Sequence, residues 1–188
     1  MKLLLDLDAT VFPTYTELNI LHKTLFGTEI NFGALSDGND DYWKQEQGLW
    51  VKKMFNDDSF YAELIAYKGA RETLRIFMRN PKNSILYCTA RSSCLEEATA
   101  YSIGKNNLPY GDLTFVDRKN VAQNKLEVAI MESCDIAIDD EQEIIFALND
   151  RCITIIFTQS YNINYPFGYR VSDWFDVHRI LQDLEEVS

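Results

Sequence analysis

The stretch Lys2-Leu3-Leu4-Leu5-Asp6-Leu7-Asp8-Ala9-Thr10-Val11 joins a short apolar run to a pair of aspartates. An apolar run of this length is typical of a buried β-strand, and we predict a strand from Lys2 to Asp8. Where such a strand continues into a turn, Asp6 and Asp8 can point toward one shared site. Two carboxylates at one site can hold a hard cation such as Mg²⁺. The alternative is a pair of acids that ends a strand and caps a turn.

Short apolar runs alternate with helical patterns along most of the remaining chain. The predicted strands are Lys2–Asp8, Ser84–Thr89, Leu113–Val116, Asp135–Ile138 and Cys152–Phe157. The predicted helices are Arg71–Met78, Cys94–Ile103, Val121–Met131, Glu141–Leu148 and a last amphipathic helix around Trp174. This alternation predicts an α/β fold, in which a central parallel sheet is flanked by crossover helices in a Rossmann-like arrangement.

The segment 12–68 breaks the alternation. It is mostly helical in pattern, it is rich in aromatic residues, and it is too long for an ordinary loop between a strand and a helix. We predict a small helical cap over residues 12–68, inserted after the first strand of a core that comprises residues 1–11 and 69–188. Among its aromatic residues, Trp43, Trp50, Phe60 and Tyr61 are candidates for an apolar slot that stacks a nucleobase. The alternative is that they only pack the cap helices together.

Three of the predicted strands end in reactive residues, and the carboxyl ends of parallel strands share one edge of a sheet. After the second strand, the Thr89 hydroxyl and the free N–H groups of a helix start suit a phosphate, although Ser92 could simply cap that helix. After the fourth strand, Asp139 and Asp140 follow a buried run, where acids need a cation or a helix to cap. Asp140 has such a helix, whereas Asp139 does not.

Lys125 precedes the fourth strand, on a predicted helix from which its amine can reach the cluster of carboxylates. Arg118 and Lys119 are alternatives for the same role, and so is a solvated surface lysine with no role at all. The sequence leaves open which of these cations meets a phosphate.

Composition excludes some classes of partner. The 188 residues include 18 Lys and Arg against 29 Asp and Glu, a formal net charge of −11. Nucleic-acid affinity rests largely on cations that neutralise phosphates, so this charge argues against a polynucleotide but not against a single nucleotide. No apolar run is long enough to cross a bilayer, and Asp6 and Asp8 interrupt the N-terminal apolar stretch. We therefore expect a cytoplasmic protein with no membrane partner.

Taken together, these residues resemble the motifs of the haloacid dehalogenase (HAD) superfamily. The stretch Asp6 to Val11 resembles the first motif, Thr89 the second, Lys125 the third and Asp139-Asp140 the fourth. Within the superfamily the chain looks most like the 5′(3′)-deoxyribonucleotidases. The segments that carry this closer resemblance are Ser59–Leu64, Lys68–Leu74, Phe157–Asn162 and Arg170–Trp174. One departure is Ala9, which stands where a glycine is common.

The resemblance implies a Mg²⁺-dependent phosphatase that forms an aspartyl-phosphate on Asp6, with Asp8 as the general acid and base. It implies that Thr89 and Lys125 complete the catalytic set. The implied metal ligands are Asp6, Asp8 through its backbone carbonyl, and the Asp139-Asp140 pair. Which of Asp139 and Asp140 binds the metal directly, and which assists it, stays open. The expected substrate-binding residues are Thr10, Trp43, Phe60, Tyr61, Ala90 and Arg91.

The expected substrate is a small phosphomonoester, with a (deoxy)ribonucleoside monophosphate favoured by the closer resemblance. The alternatives are a sugar phosphate, and a catalytically silent protein that binds a nucleotide or a partner. A phosphatase acting on polynucleotide ends is disfavoured by the net charge. The oligomeric state stays open, with a homodimer as one expectation.

Overall fold

The computed structural model describes residues 1–30, 41 and 44–187, and it contains one parallel sheet. The strands are β1 (Lys2–Leu5), β2 (Ser84–Thr89), β3 (Asp112–Phe115), β4 (Ile136–Asp139), β5 (Ile153–Phe157) and β6 (Tyr169–Val171). Their order across the sheet is β3-β2-β1-β4-β5-β6, and every neighbouring pair is parallel. The predicted α/β fold with a central parallel sheet is therefore confirmed.

Among the described residues, four helices lie between β1 and β2 in sequence, one lies between each later pair of consecutive strands up to β5, and one follows β6. They are α1 (Thr14–Phe26), α2 (Glu46–Met54), α3 (Asp58–Glu63), α4 (Ala70–Phe77), α5 (Glu96–Lys105), α6 (Val121–Met131), α7 (Gln142–Leu148) and α8 (Trp174–Glu186). A single 3₁₀ turn, Ser93–Leu95, precedes α5. The helices predicted between the strands fall within two residues of these bounds. None of the helices in the described ranges is both long and apolar enough to span a bilayer.

The first strand is shorter than predicted, because the chain turns immediately after it. β1 ends at Leu5, and the carbonyl of Leu7 accepts hydrogen bonds from the N–H groups of Val11 (2.9 Å) and Phe12 (2.8 Å). Ala9, inside this turn, has a φ of 58° in the left-handed region. The two aspartates that were assigned to the strand thus lie in a tight turn at its carboxyl end.

The sixth strand was not predicted from the sequence. Tyr169–Val171 is only three residues long and pairs with one neighbour, β5, so it has no long apolar run to reveal it. Its pairing extends the sheet beyond β5 and places the chain between them, residues 158–168, beside the carboxyl ends of the strands.

The sheet is covered on both faces, which explains why its strands are continuously apolar. On β1, Leu3 and Leu5 belong to one apolar cluster and Leu4 to another, and all three are fully buried. Successive side chains of a strand point to opposite faces, so each face of the sheet has its own apolar layer.

The helices α1, α2 and α3, which come between β1 and β2 in sequence, contribute to the same apolar layer as Leu3 and Leu5 of β1. Leu18 of α1, Val51 of α2 and Phe60 of α3 are buried in the cluster that contains Leu3. The division of the chain into a core and a cap over 12–68 stays a prediction.

Candidate active site

The sheet order brings the reactive strand ends together. β1 lies between β2 and β4, and Leu5 is level with Tyr87 on one side and Ile138 on the other. The N–H of Asp6 donates to the carbonyl of Ile138 (3.0 Å), which ties the turn after β1 to β4. Asp6, Thr89 and Asp139 are therefore neighbours in space, although Thr89 and Asp139 come 83 and 133 positions after Asp6 in the sequence.

Lys125 lies at the centre of this group. Its Nζ donates to Oδ1 of Asp6 (2.6 Å) and to Oδ2 of Asp139 (2.7 Å), and its side chain is 2% exposed. An amine is stable in such a place only when carboxylates surround it, and the two partners raise the pKa of Lys125 well above its ordinary value against the opposing effect of burial. Of the cations that the sequence offered, Arg118 and Lys119 are exposed, so it is Lys125 that contacts Asp6.

The adjacent acids Asp139 and Asp140 have different partners. Besides Lys125, Asp139 accepts the N–H of Glu141 through Oδ1 (3.0 Å). Asp140 accepts the hydroxyl of Thr10 through Oδ1 (3.2 Å) and the hydroxyl of Tyr161 through Oδ2. Asp140, like Asp6, lines a cavity at this end of the sheet. Both of its carboxylate oxygens accept hydrogen bonds from hydroxyl groups of the protein.

Three of the aspartates form a group that suits a hard cation. Asp6, Asp139 and Asp140 each offer a carboxylate oxygen, and these atoms lie within 4.8 Å of one another. Burial raises the pKa of Asp6 to about 7 and also raises the pKa values of Asp139 and Asp140. Three buried carboxylates beside one lysine leave an excess of negative charge, which a divalent ion with oxygen ligands would neutralise. The donor set thus fits Mg²⁺.

The carboxylate of Asp8 is directed elsewhere, toward Arg91. Nε of Arg91 donates to Oδ2 (2.9 Å) and Nη2 donates to Oδ1 (2.8 Å), while the hydroxyl of Thr14 also donates to Oδ1. Burial alone would raise the pKa of Asp8, but the guanidinium and its hydrogen bonds hold that pKa below the ordinary value. The metal contact expected of Asp8 concerned its backbone carbonyl, and it stays a prediction.

The threonines and Ala90 take up supporting positions around the aspartates. Thr89 is fully buried, and its hydroxyl accepts the N–H of Arg91 (3.2 Å). Thr10 is also fully buried and donates to Asp140. Ala90 lines the cavity, as do Arg91 and Asp8. The expected contacts of Thr10, Thr89 and Ala90 with a substrate stay predictions.

Above the aspartates lies a cavity of about 460 Å³, which is within the range of small-molecule sites. Its lining combines the acids and cations of the site with aromatic and small polar side chains. The residues that line it are Asp6, Asp8, Tyr15, Phe55, Asn56, Tyr61, Ala90, Arg91, Ser92, Ser93, Phe115, Val116, Asp117, Arg118, Lys125, Asp140 and Glu141.

Of the aromatic residues proposed for a base-stacking slot, Tyr61 lines this cavity. Phe60 does not; it is buried, with its ring 5.2 Å from that of Tyr61. Trp50 packs within the helical segment, 5.7 Å from the ring of His22. Trp43 lies outside the described residues. The cavity wall instead includes Phe55, whose ring lies 5.0 Å from the guanidinium of Arg118.

Sequence reasoning assigned no role to several residues that support the turn after β1. Gln159 donates to the carbonyl of Ala9 (2.6 Å), and the indole of Trp174 donates to the carbonyl of Thr10 (3.0 Å). Asn162 donates to the carbonyl of Asp140 (2.7 Å). The signal for them was present, because all three lie in the segments that carry the closer family resemblance.

Comparison with solved structures places this fold among HAD-type hydrolases. A haloacid dehalogenase-like hydrolase from Burkholderia xenovorans LB400 superposes with a TM-score of 0.60 and 16% identity, covering 100% of this chain and 98% of the other. A phosphonoacetaldehyde hydrolase-like protein from Oleispira antarctica superposes with a TM-score of 0.63 and 13% identity, covering 98% of this chain and 92% of the other. A haloacid dehalogenase-like protein from Agrobacterium tumefaciens C58 superposes with a TM-score of 0.63 and 10% identity, covering 98% of each chain. At these identities the similarity shows the fold.

The family follows from the sequence. The model of the family described as 5′ nucleotidase, deoxy (pyrimidine), cytosolic type C (NT5C) matches residues 1–185, and the chain belongs to this family. It is thus a hydrolase of the phosphatase and nucleotidase kind, and the resemblance seen in the motifs is confirmed. A search among curated protein sequences returns no match.

Proposed function

We propose that the protein is a Mg²⁺-dependent 5′-nucleotidase that hydrolyses (deoxy)ribonucleoside monophosphates through an aspartyl-phosphate on Asp6. One observation carries the proposal. Asp6 lines the cavity, and its carboxylate contacts Lys125 and lies within 4.8 Å of carboxylate oxygens of Asp139 and Asp140. A candidate nucleophile is thereby combined with a cation and with ligands for a metal beside a cavity that a small phosphate ester can enter.

In the proposed reaction, an oxygen of Asp6 attacks phosphorus, the Asp6–phosphorus bond forms and the ester bond to the leaving oxygen breaks. Asp8 enters this step in its protonated form, gives that proton to the departing alkoxide and becomes a carboxylate. Asp8 then takes a proton from a water molecule that attacks the aspartyl-phosphate, which releases inorganic phosphate and restores Asp6. Lys125 stabilises the negative charge that develops on the phosphoryl oxygens.

Asp6, Asp139 and Asp140 would hold the metal ion, with the backbone carbonyl of Asp8 as a further proposed ligand. When bound, Mg²⁺ reduces the repulsion between the carboxylate of Asp6 and the incoming phosphate. The three carboxylates that are close together support this assignment.

The walls of the cavity support a nucleotide as the substrate. Tyr61 and Phe55 contribute aromatic rings to the cavity lining, and Asn56 and Ser92 contribute hydrogen-bonding groups. An aromatic face with polar groups at its edge suits a nucleobase, which is itself flat and carries donors and acceptors on its rim. The name of the matching family points the same way. The net charge of −11 disfavours a polynucleotide.

The proposal is tested by the release of phosphate from a panel of deoxynucleoside monophosphates, ribonucleoside monophosphates and sugar phosphates, with Mg²⁺ or with EDTA. Wild-type protein is compared with Asp6→Asn, which keeps the size of the side chain and removes the nucleophile. We expect Mg²⁺-dependent release that favours nucleotides and is lost in the variant.

Each other outcome changes a different part of the proposal. Preference for sugar phosphates would contradict the nucleotide assignment and retain the chemistry. Appreciable turnover by Asp6→Asn would exclude Asp6 as the nucleophile. No turnover of any ester would favour the alternative of a silent binding protein. The cytoplasmic location and the homodimer stay predictions from the sequence.

A further inference from the structure

Three cations line the cavity among the described residues, and two of them are engaged by carboxylates. Lys125 donates to Asp6 and Asp139, and Arg91 donates to both oxygens of Asp8. The side chains of Lys125 and Arg91 are also buried. Their positive charges therefore already balance acids of the protein, which weakens their attraction for an anion that approaches from solvent.

Arg118 is the third of these cations, and it is exposed. The Cζ atom of its guanidinium lies 5.0 Å from the ring centre of Phe55. Within the part of the chain that the structure describes, this guanidinium takes part in no ion pair or hydrogen bond. A guanidinium that lies over an aromatic ring keeps the N–H groups in its own plane available to an anion.

The backbone on either side of Arg118 is held by hydrogen bonds within its own loop. Asp117 accepts the N–H of Lys119 through Oδ1 (2.8 Å), and the side-chain amide of Asn124 donates to the carbonyls of Asp117 (2.9 Å) and Lys119 (3.0 Å). One oxygen of the Asp117 carboxylate is thereby bound to the loop, although this residue also lines the cavity. Arg118 is therefore presented to the cavity by a fixed turn.

The charge of Arg118 acts on groups inside the cavity. Burial and the charge of Asp8 raise the pKa of Tyr61, and the charges of Arg91 and Arg118 oppose this rise. Tyr61 is buried and lines the same cavity. The positive charge of Arg118 thus reaches the space that a bound anion would occupy.

A phosphomonoester is largely a dianion near neutral pH, and it has to enter an acidic cavity of an acidic protein. The chain carries a net charge of −11. The acids that line the cavity outnumber its three cations and are Asp6, Asp8, Asp117, Asp140 and Glu141. Without a cation that is open to solvent, this arrangement would repel the substrate.

We infer that Arg118 is the residue that attracts the phosphate group of the substrate into the cavity. The inference rests on the proposed function and deepens it, because it names the group that captures the phosphate. Lys125 and Arg118 thereby divide between them two tasks of a cation at this site. Lys125 contacts the proposed nucleophile Asp6, whereas Arg118 remains available to the arriving ester.

Attraction between an exposed cation and an arriving dianion has a signature in ionic strength. It favours capture of the substrate and so raises kcat/KM, whereas kcat depends on the later steps and stays the same. Salt screens exposed charges, with a Debye length of about 10 Å at 0.1 M and about 3 Å at 1 M. The contribution of Arg118 should therefore be largest in dilute buffer and small at high salt.

The experiment measures kcat and KM of the wild type, Arg118→Gln and Arg118→Lys on a deoxynucleoside monophosphate, between about 0.02 and 0.5 M salt. We expect Arg118→Gln to lower kcat/KM by about five- to tenfold at the lowest salt, with kcat within about twofold, and to approach the wild type at the highest. Arg118→Lys should keep most of the wild-type kcat/KM and its salt dependence, because it retains the charge.

Inorganic phosphate separates the phosphate from the nucleoside, because it shares the charge of the substrate and has no base. Its binding is measured by calorimetry at low salt with Mg²⁺ present, which requires no turnover. Arg118→Gln should weaken this binding by the same factor as it lowers kcat/KM.

Lys119→Gln is the matched control, because Lys119 is exposed in the same loop and does not line the cavity. It removes the same unit of charge from the surface and should change kcat/KM by no more than about twofold. Both Arg118 and Lys119 are exposed, so neither change should disturb the fold.

The outcomes separate the inference from the function it rests on. An equal loss in Lys119→Gln, a loss that persists at high salt, a loss in kcat, or an unchanged affinity for inorganic phosphate in Arg118→Gln would each overturn the inference. Should the wild type hydrolyse no nucleotide while Arg118→Gln still weakens phosphate binding, the proposed function would be contradicted and the capture of phosphate by Arg118 supported.

Discussion

Nζ of Lys125 lies 2.6 Å from Oδ1 of Asp6, in an ion pair that is almost completely removed from water. The pair joins the helix α6 to the turn after β1, and Asp139 shares the same amine at 2.7 Å. Removing the cation from such a site is costly, because it leaves the carboxylates buried without a compensating charge.

The first prediction concerns this lysine. Lys125→Met should lower the free energy of unfolding of the metal-free protein by about 3 to 5 kcal/mol, since it leaves Asp6 and Asp139 buried without their cation. Chemical denaturation in EDTA measures the loss. Lys119→Met, on the exposed side of the same region, should change stability by no more than about 0.5 kcal/mol. Equal changes in the free energy of unfolding would show that the buried lysine contributes no more to stability than the exposed one.

The second prediction concerns the partner of Asp140. Tyr161→Phe removes the hydroxyl that donates to Oδ2 of Asp140 and keeps the ring. Groups that orient metal ligands typically affect metal affinity by about 10- to 100-fold, so we expect the Mg²⁺ concentration for half-maximal activity to rise by about tenfold. This concentration is measured by titrating the activity of each protein with Mg²⁺. Tyr110→Phe, at a side chain that is 89% exposed, is the matched control and should leave the titration unchanged.

The third prediction is that the metal-free protein loses stability as the pH rises from about 4 through about 7. Burial raises the pKa of Asp6 from 3.8 to about 7, and it also raises the pKa of Asp140. An acid with a raised pKa binds more protons in the folded state than in the unfolded one, so its contribution favours folding at low pH and is lost across this window. The pKa of Asp8 is lowered, so its contribution to stability has the opposite sign and is lost as the pH falls below the ordinary pKa of an aspartate.

Thermal melts at pH 5 to 8, with EDTA or with Mg²⁺, test this dependence. Mg²⁺ should stabilise the protein most at the upper end of the range, where the carboxylates are charged. Asp140→Asn should flatten the dependence and reduce the effect of the metal. A melting temperature in EDTA that rises steadily from pH 5 to pH 8 would contradict the prediction.

The fourth prediction concerns the backbone of the turn. Ala9 has a φ of 58° and is buried, in a conformation that β-branched residues avoid. Ala9→Gly relieves strain and loses a buried methyl group, so we expect a change within about 1 kcal/mol. Ala9→Val adds strain and crowding and should cost about 2 kcal/mol or more. Ala100→Val, exposed on α5, controls for the loss of helix propensity. A similar cost at both sites would argue against the left-handed turn.

Much of the fold could be predicted from local pattern. Strands buried on both faces are continuously apolar, so β2, for example, was placed with its observed bounds. The edge strand Tyr169–Val171 escaped prediction because three residues with one neighbour leave no such pattern. The turn after β1 was assigned to the strand because hydrogen bonds to Leu7, rather than composition, end it.

The sequence alone was sufficient to place Asp6 and the Asp139-Asp140 pair after predicted strands, because the type of side chain and its place after a strand depend on neighbouring residues only. It left Lys125 as one of three candidate cations, beside Arg118 and Lys119. Which partner each side chain takes was decided by the tertiary structure. Arg91 contacts Asp8 because the order of the strands brings the ends of β1 and β2 side by side, and the substrate contact expected of Arg91 stays a prediction. Contacts between residues so far apart in sequence depend on the packing of the whole sheet, and no local pattern encodes them.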